Sequence, residues 1–144
     1  MPAKIKKNKL EIEYTFDFEL VGIRTSLKGY KLAWHLNQGL HTRLVKQPDF
    51  EVHLRKESAW FDHFSYRTPL NALHLFRNRS SGDAEKTVHA LVPEFSHFDY
   101  ILMTQSEESL GGNRLQEYLK NVPSVEWAAL IPLSALKSKE TFIF

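Results

Sequence analysis

The stretch Leu10-Glu11-Ile12-Glu13-Tyr14-Thr15-Phe16-Asp17-Phe18-Glu19-Leu20 alternates without a break, apolar side chains at even positions and polar ones at odd. Successive side chains on a strand point to opposite faces, so a period of two over this length predicts a strand with one face in the core and one in water. Such strands belong to antiparallel or mixed sheets, because strands covered on both faces by helices read as continuous apolar runs. The fold class moves toward α+β and away from doubly wound α/β.

Reading outward, Val21-Gly22-Ile23 leads to Thr25 and Ser26, both able to cap a helix. Leu27, Tyr30, Ala33, Trp34 and Asn37 follow at helical spacing, and Leu36 and Leu40 widen the apolar face, which predicts a helix over about 26–40. Gly29 inside it costs about 1 kcal/mol relative to Ala, so a close packing contact or a delayed helix start is expected there, and Gly39 marks the far end. After Pro48, the segment Asp49 to Leu54 alternates again, with Phe50, Val52 and Leu54 inward and Glu51 and His53 outward. Ala59 to Tyr66 and Leu70 to Phe76 read as two strands of a hairpin about Arg67, Thr68 and Pro69. Asn78 to Asp83 is a turn by composition, and Thr87 to Val92 and Asp99 to Met103 are apolar runs interrupted at Pro93.

Ser106 with Glu107 and Glu108 places a cap and two acids where a second helix begins. Leu115, Tyr118, Leu119 and Val122 form its stripe, Gly111-Gly112 delays its first turn, and Pro123 ends it. Val125 to Ile131 reads as a last strand, and Leu133 to Leu136 as one short turn. The expected architecture is a single α+β domain over residues 10–144, a mostly antiparallel sheet of about six or seven strands with two helices on one face. Residues 1–9, with Lys4, Lys6, Lys7 and Lys9, read as a basic N-terminal tail.

Composition removes several classes of function. The 144 residues contain no cysteine, which excludes disulfides, thiolate metal sites, iron–sulfur clusters and cysteine nucleophiles. The 19 Lys and Arg against 17 Asp and Glu leave +2, too little for a nucleic-acid field by itself. No apolar run approaches 18 residues, and the lysine-rich start is not followed by an apolar segment, so a cytoplasmic chain without a membrane partner is expected.

Carboxylates and histidines remain as candidates for chemistry. On a strand face alternate residues stand about 6.6–7 Å apart, and Glu11, Glu13, Asp17 and Glu19 form a row there that can serve as oxygen ligands or an acid–base pair. The plainer reading pairs them across strands with Arg55, Lys56, Lys137 and Lys139. His35, His41, His53, His63, His74, His89 and His97 show no short metal-ligand spacing. A hairpin centred on Thr68-Pro69 sets His63 opposite His74 as half of a metal site, whereas centring on Pro69-Leu70 sets His63 opposite Phe76. Ser134-Ala135-Leu136-Lys137 lacks any supporting nucleophile motif, and the anion-binding reading of Gly111-Gly112-Asn113 is opposed by Glu107 and Glu108. No cofactor and no metal are called for. Trp60, Phe61, Phe64, Tyr66 and Phe76, interleaved with Arg67, Arg77 and Arg79, suggest a stacking platform for single-stranded RNA on the hairpin.

Val92-Pro93-Glu94-Phe95-Ser96-His97-Phe98-Asp99-Tyr100 resembles the motif of the bacterial IPExxxVDY family, with Val92 for Ile and Phe98 for Val. Gly22-Ile23, the stretch from Tyr30 through Leu32, Trp34 and Leu36 to Asn37, and the segment Leu136 to Phe144 resemble that family in order and spacing. The resemblance implies a small cytoplasmic bacterial protein, and it carries over no activity, cofactor or catalytic residue. Two roles suit Pro93, Glu94, Asp99 and Tyr100. They form a corner in which both carboxylates accept backbone N–H bonds across the loop and Tyr100 packs inward, or a polar site at a loop mouth with His97. The functional expectation is a non-enzymatic module that binds a protein partner or itself, a homodimer completed by the apolar Phe142-Ile143-Phe144. The alternatives are RNA binding through Arg67, Arg77 and Arg79, and a metal-dependent hydrolase using Asp, Glu and His.

Overall fold

The computed structural model describes residues 17–82, 88–106, 110–137 and 139–144. The lysine tail and the alternating stretch before Asp17, including Glu11 and Glu13, lie outside the described residues, as do Glu107 and Glu108. Where the alternation is described it holds, with Asp17 and Glu19 exposed and Phe18 and Leu20 buried. Strand β1 runs Glu19–Thr25, and from Leu20 to Ile23 every residue is buried. Beyond Leu20, where the alternating stretch ends, β1 continues as an inner strand covered on both sides.

The remaining elements are helix α1 (Gly29–Leu40), strands β2 (Val45–His53), β3 (Ser58–Arg67), β4 (Asn71–Arg77) and β5 (Tyr100–Ser106), helix α2 (Gly112–Lys120) and strand β6 (Val125–Ile131). They form an α+β domain with a six-stranded sheet in the order β2-β3-β4-β5-β1-β6, all neighbours antiparallel. Helix α1 begins at Gly29, three residues later than its first apolar contacts suggest. A Cβ at Gly29 would stand 3.0 Å from the Phe64 ring, so the glycine lets the helix start seat on the sheet. Helix α2 begins at Gly112 rather than at Ser106. Ser106 ends β5, and the amide of Gly112 donates to Glu19 Oε1 at 2.9 Å. A carboxylate from β1 thus meets the positive end of α2, in place of the expected pairing with Lys or Arg. Strand β2 starts before Pro48. Its register breaks between Gln47 and Phe50, which an edge strand tolerates because the missing N–H faces no ladder.

The β3–β4 turn is centred on Pro69-Leu70: Thr68 N donates to Asn71 O at 2.8 Å and Thr68 Oγ1 accepts from Asn71 N at 3.0 Å. Pro69 supplies the φ that the second position of such a turn requires. His63 therefore lies opposite Phe76.

Both helices cover one face. Leu32, Ala33, Leu36 and Leu40 of α1 and Leu115 and Leu119 of α2 bury Val21, Ile23, Leu73, Leu75, Tyr100 and Leu102. Tyr118 locks the helices together: its hydroxyl donates to His35 O at 2.6 Å, and its ring occupies the space a Cβ at Gly39 would need. The other face is covered by irregular chain. Leu91, Val92 and Phe98, with Leu136 and Phe142 near the C-terminus, pack on Leu20, Phe61, Phe76, Ile101 and Met103. The apolar run Thr87 to Val92 forms no strand in its described part, and Pro93–Phe95 and Lys139–Phe142 are short 3₁₀ turns.

This loop face is held by Asn78. Its buried amide donates to Phe95 O (3.1 Å) and Phe98 O (2.9 Å) and accepts from Val92 N (2.8 Å), while its backbone N–H donates to Asp99 O. Phe98 lies against Gly22, where a Cβ would stand 2.3 Å from the ring.

A cleft at the start of helix α1

On the helix face, a cleft of about 650 Å³ opens where α1 begins, between the ends of β1, β4 and β5 and the flanks of β2 and β3. Antiparallel register builds its floor. Arg77 of β4 lies opposite Tyr100 of β5, and the next pair beyond His63 and Phe76 sets Asp62 of β3 opposite Arg77. Asp62, Arg77 and Tyr100 thus form a row across the sheet beneath the Lys28-Gly29-Tyr30 turn. Phe64 and Leu27 complete an apolar floor, and Lys46 stands over the Phe64 ring at 5.8 Å.

The turn from β1 into α1 is fixed by hydrogen bonds. Asp99 Oδ2 accepts from Thr25 N (2.8 Å), and Thr25 Oγ1 accepts from Leu27 N (3.1 Å) while donating to Ser124 O (2.7 Å). The Tyr100 hydroxyl donates to Leu27 O at 2.8 Å. Burial pushes the Tyr100 phenol above its ordinary value; Arg77 draws it back, and Asp62 and Asp99 add to the rise. Tyr100 keeps its proton and acts as a fixed donor to the backbone.

Three cations, Lys28, Lys46 and Arg77, face two carboxylates, Asp62 and Asp99. Lys46 donates to Gln47 O (2.9 Å) and Asp49 Oδ1 (3.2 Å). Among the described residues, no carboxylate lies within ion-pair distance of Lys28 or Arg77. A guanidinium in a cleft with an apolar floor offers a fork of donors to a carboxylate or phosphate, and the lower local dielectric strengthens that attraction. The arrangement is suited to holding an anion.

The residues singled out in sequence are dispersed by the fold. Asp99 and Tyr100 line the cleft. Glu94, behind Pro93, accepts from Lys137 N at 2.7 Å on the opposite side of the sheet. The two carboxylates do accept backbone N–H bonds, but from distant segments, and Asn78 does the work of bridging the loop. Arg67 and Arg77 sit at opposite ends of the hairpin, and strand alternation sends Arg67 to the loop face and Arg77 to the helix face. Arg79 lines a second cleft, of about 350 Å³, together with Arg77, His89 and Asp99. Of the hairpin's rings, Phe61, Phe64 and Phe76 are core residues, Tyr66 is half-buried and Trp60 is exposed. Phe142 is likewise buried within its own chain, while Ile143 and Phe144 are exposed.

His63 and His74 meet diagonally across β3 and β4, Nε2 to Nδ1 at 2.9 Å, with rings stacked among Phe50, Phe76 and Phe144. Burial, reinforced by Lys46 for His63 and by His63 and Arg67 for His74, lowers both to about 4. Both are neutral near pH 7. The buried Nε2 of His74 has no partner among the described residues. The cheaper tautomer puts the proton on His74 Nδ1, donating to His63, because a bare lone pair costs less than an orphan N–H. Among the described residues no three His, Asp or Glu side chains are grouped to hold a metal ion.

Sequence reading missed Asp62, Lys28 and Lys46 as site residues. The available signal was Asp62 itself, a carboxylate between Phe61 and Phe64 in an aromatic strand. No family model matches the chain, and no curated protein is recognisably similar to it in sequence.

Proposed function

We propose that this chain is a small binding module that holds an anionic ligand in the cleft at the start of α1. The observation that carries the proposal is Arg77, free of any carboxylate partner among the described residues, on a floor made by Phe64, Tyr100 and Leu27. Lys28 and Lys46 flank it. Asp62 and Asp99 set polarity at the rim, and Asp99, already engaged with Thr25, shapes the turn. Tyr100 and Asp99 are both committed to the backbone, so they serve to shape the cleft rather than to move a proton. Asp99 and Tyr100 belong to the segment that resembles the IPExxxVDY motif.

Amide NMR titration with inorganic pyrophosphate at low salt tests the reading. Saturable shifts at residues 25–30 and 99–100 are expected, weakened about tenfold or more by Arg77→Ala and by 0.3 M salt, as loss of a charge-assisted contact requires. Arg77 is exposed, so the variant keeps the fold. Shifts that are absent, or indifferent to Arg77→Ala, would overturn the proposal.

A further inference from the structure

The cleft continues onto the exposed side of α1. Tyr30 lines its rim and is 65% exposed, and Trp34, one turn further, is 51% exposed. Residues four apart on a helix share a face, about 6 Å apart along the axis. Two large rings exposed one turn apart are not explained by the core, which α1 serves from its other side with Leu32, Ala33, Leu36 and Leu40. Positive charge runs beside them: Lys28 and Arg77 in the cleft, and Lys31, whose ammonium stands over the Trp34 ring at 5.5 Å. No acidic side chain lies in the first turn of α1. Of the basic and aromatic residues sought on the hairpin only Arg77 belongs to this group; Lys28, Tyr30, Lys31 and Trp34 come from the start of α1 and the residue before it.

We infer that the anion is the phosphate of a nucleotide, its base stacking on Tyr30, with Trp34 placed to receive the next base of a single strand. The inference rests on the anion-binding reading and deepens it. A phosphate in the cleft brings the attached base to the rim, and every base has a π-face that a tyrosine or tryptophan ring can take without reading sequence. Lys31 sits where the following phosphate would pass, and a surface cation–π contact is weak enough to exchange for it. Free nucleotide and the end of a single strand share this chemistry, and Trp34 distinguishes them.

The test uses the full chain and three probes: inorganic pyrophosphate, uridine monophosphate and a single-stranded ten-nucleotide oligo(U). Tyr30→Ala is expected to weaken both nucleotide probes at least about fivefold more than pyrophosphate, the loss of one stacked base, with Tyr30→Phe restoring the parent affinity. Trp34→Ala is expected to weaken the oligonucleotide alone; if it weakens neither, the ligand is a free nucleotide. Both side chains are exposed, so neither variant threatens the fold. Pyrophosphate binding without nucleotide binding, or nucleotide binding indifferent to Tyr30→Ala, overturns this inference and leaves the anion cleft standing. Failure of all three probes overturns both.

Discussion

The two faces of the sheet are covered by different means. On one, two helices pack regular apolar stripes on Val21, Ile23, Leu73 and Leu75. On the other, a loop and the C-terminal segment, built of 3₁₀ turns and single anchoring side chains, seal a core rich in aromatic rings. The helix face leaves a wet, charged cleft where α1 begins. The loop face draws its histidines inward and strips them of charge. A helix presents its side chains at a fixed pitch and leaves gaps at its ends, whereas an irregular segment can follow the sheet surface residue by residue.

The sharpest way to break this contrast is Phe142→Ala. Removing a ring that is fully buried costs about 3–5 kcal/mol, and Leu36→Ala on the helix face costs about 2–5 kcal/mol. The two should differ in how the molecule opens. With Phe142→Ala, the amides of Val92, Phe98 and Asp99 are expected to lose hydrogen-exchange protection well before those of α1. Simultaneous loss would show that the two covers form one cooperative unit.

A smaller effect follows from the histidine pair. In the folded chain His63 and His74 titrate near 4, and in the unfolded chain near 6.5, so as pH falls below about 6.5 the unfolded state takes up protons first. Stability contributed by the neutral pair is full above about 6.5, declines toward pH 4 and levels off below it. Melting temperatures across this range should fall less steeply in His74→Leu than in the parent chain. Equal slopes would remove the pair from the account.

Least of all is expected from Glu94→Ala. Its carboxylate is exposed, and its single bond to Lys137 N is worth about 1 kcal/mol or less. A small drop in melting temperature with unchanged pyrophosphate binding is the predicted outcome. Altered binding would tie the loop face to the cleft.

Much of this division was legible in the sequence, though unevenly. The spacing from Leu27 to Leu40 specifies α1 because helical period and burial coincide there, and Pro69 fixes the hairpin turn. The second cover was not legible, since Val92, Phe98, Leu136 and Phe142 are anchors without a period. The alternation ending at Leu20 suggested a wet face because polar residues stop just where the strand enters the middle of the sheet. The cleft was harder still. Lys28, Lys46, Asp62, Arg77 and Asp99 come from five segments, and only the register of β3, β4 and β5 places them together. Arg77 was singled out, but on the wrong neighbours, since Arg67 points to the other face.

Asn78 adds a consequence for the order of assembly. Its side-chain bonds reach Val92, Phe95 and Phe98, 14 to 20 residues away, and its backbone bond to Asp99 presupposes that β4 and β5 have already met. The loop's local bonds, from Phe95 N to Val92 O and from Phe98 N to Phe95 O, shape single turns, and its seat on the sheet is borrowed from a strand pair already formed. The helices of the first face can form from bonds close in sequence, while the opposite cover closes late, as a lid cast on a mould already set.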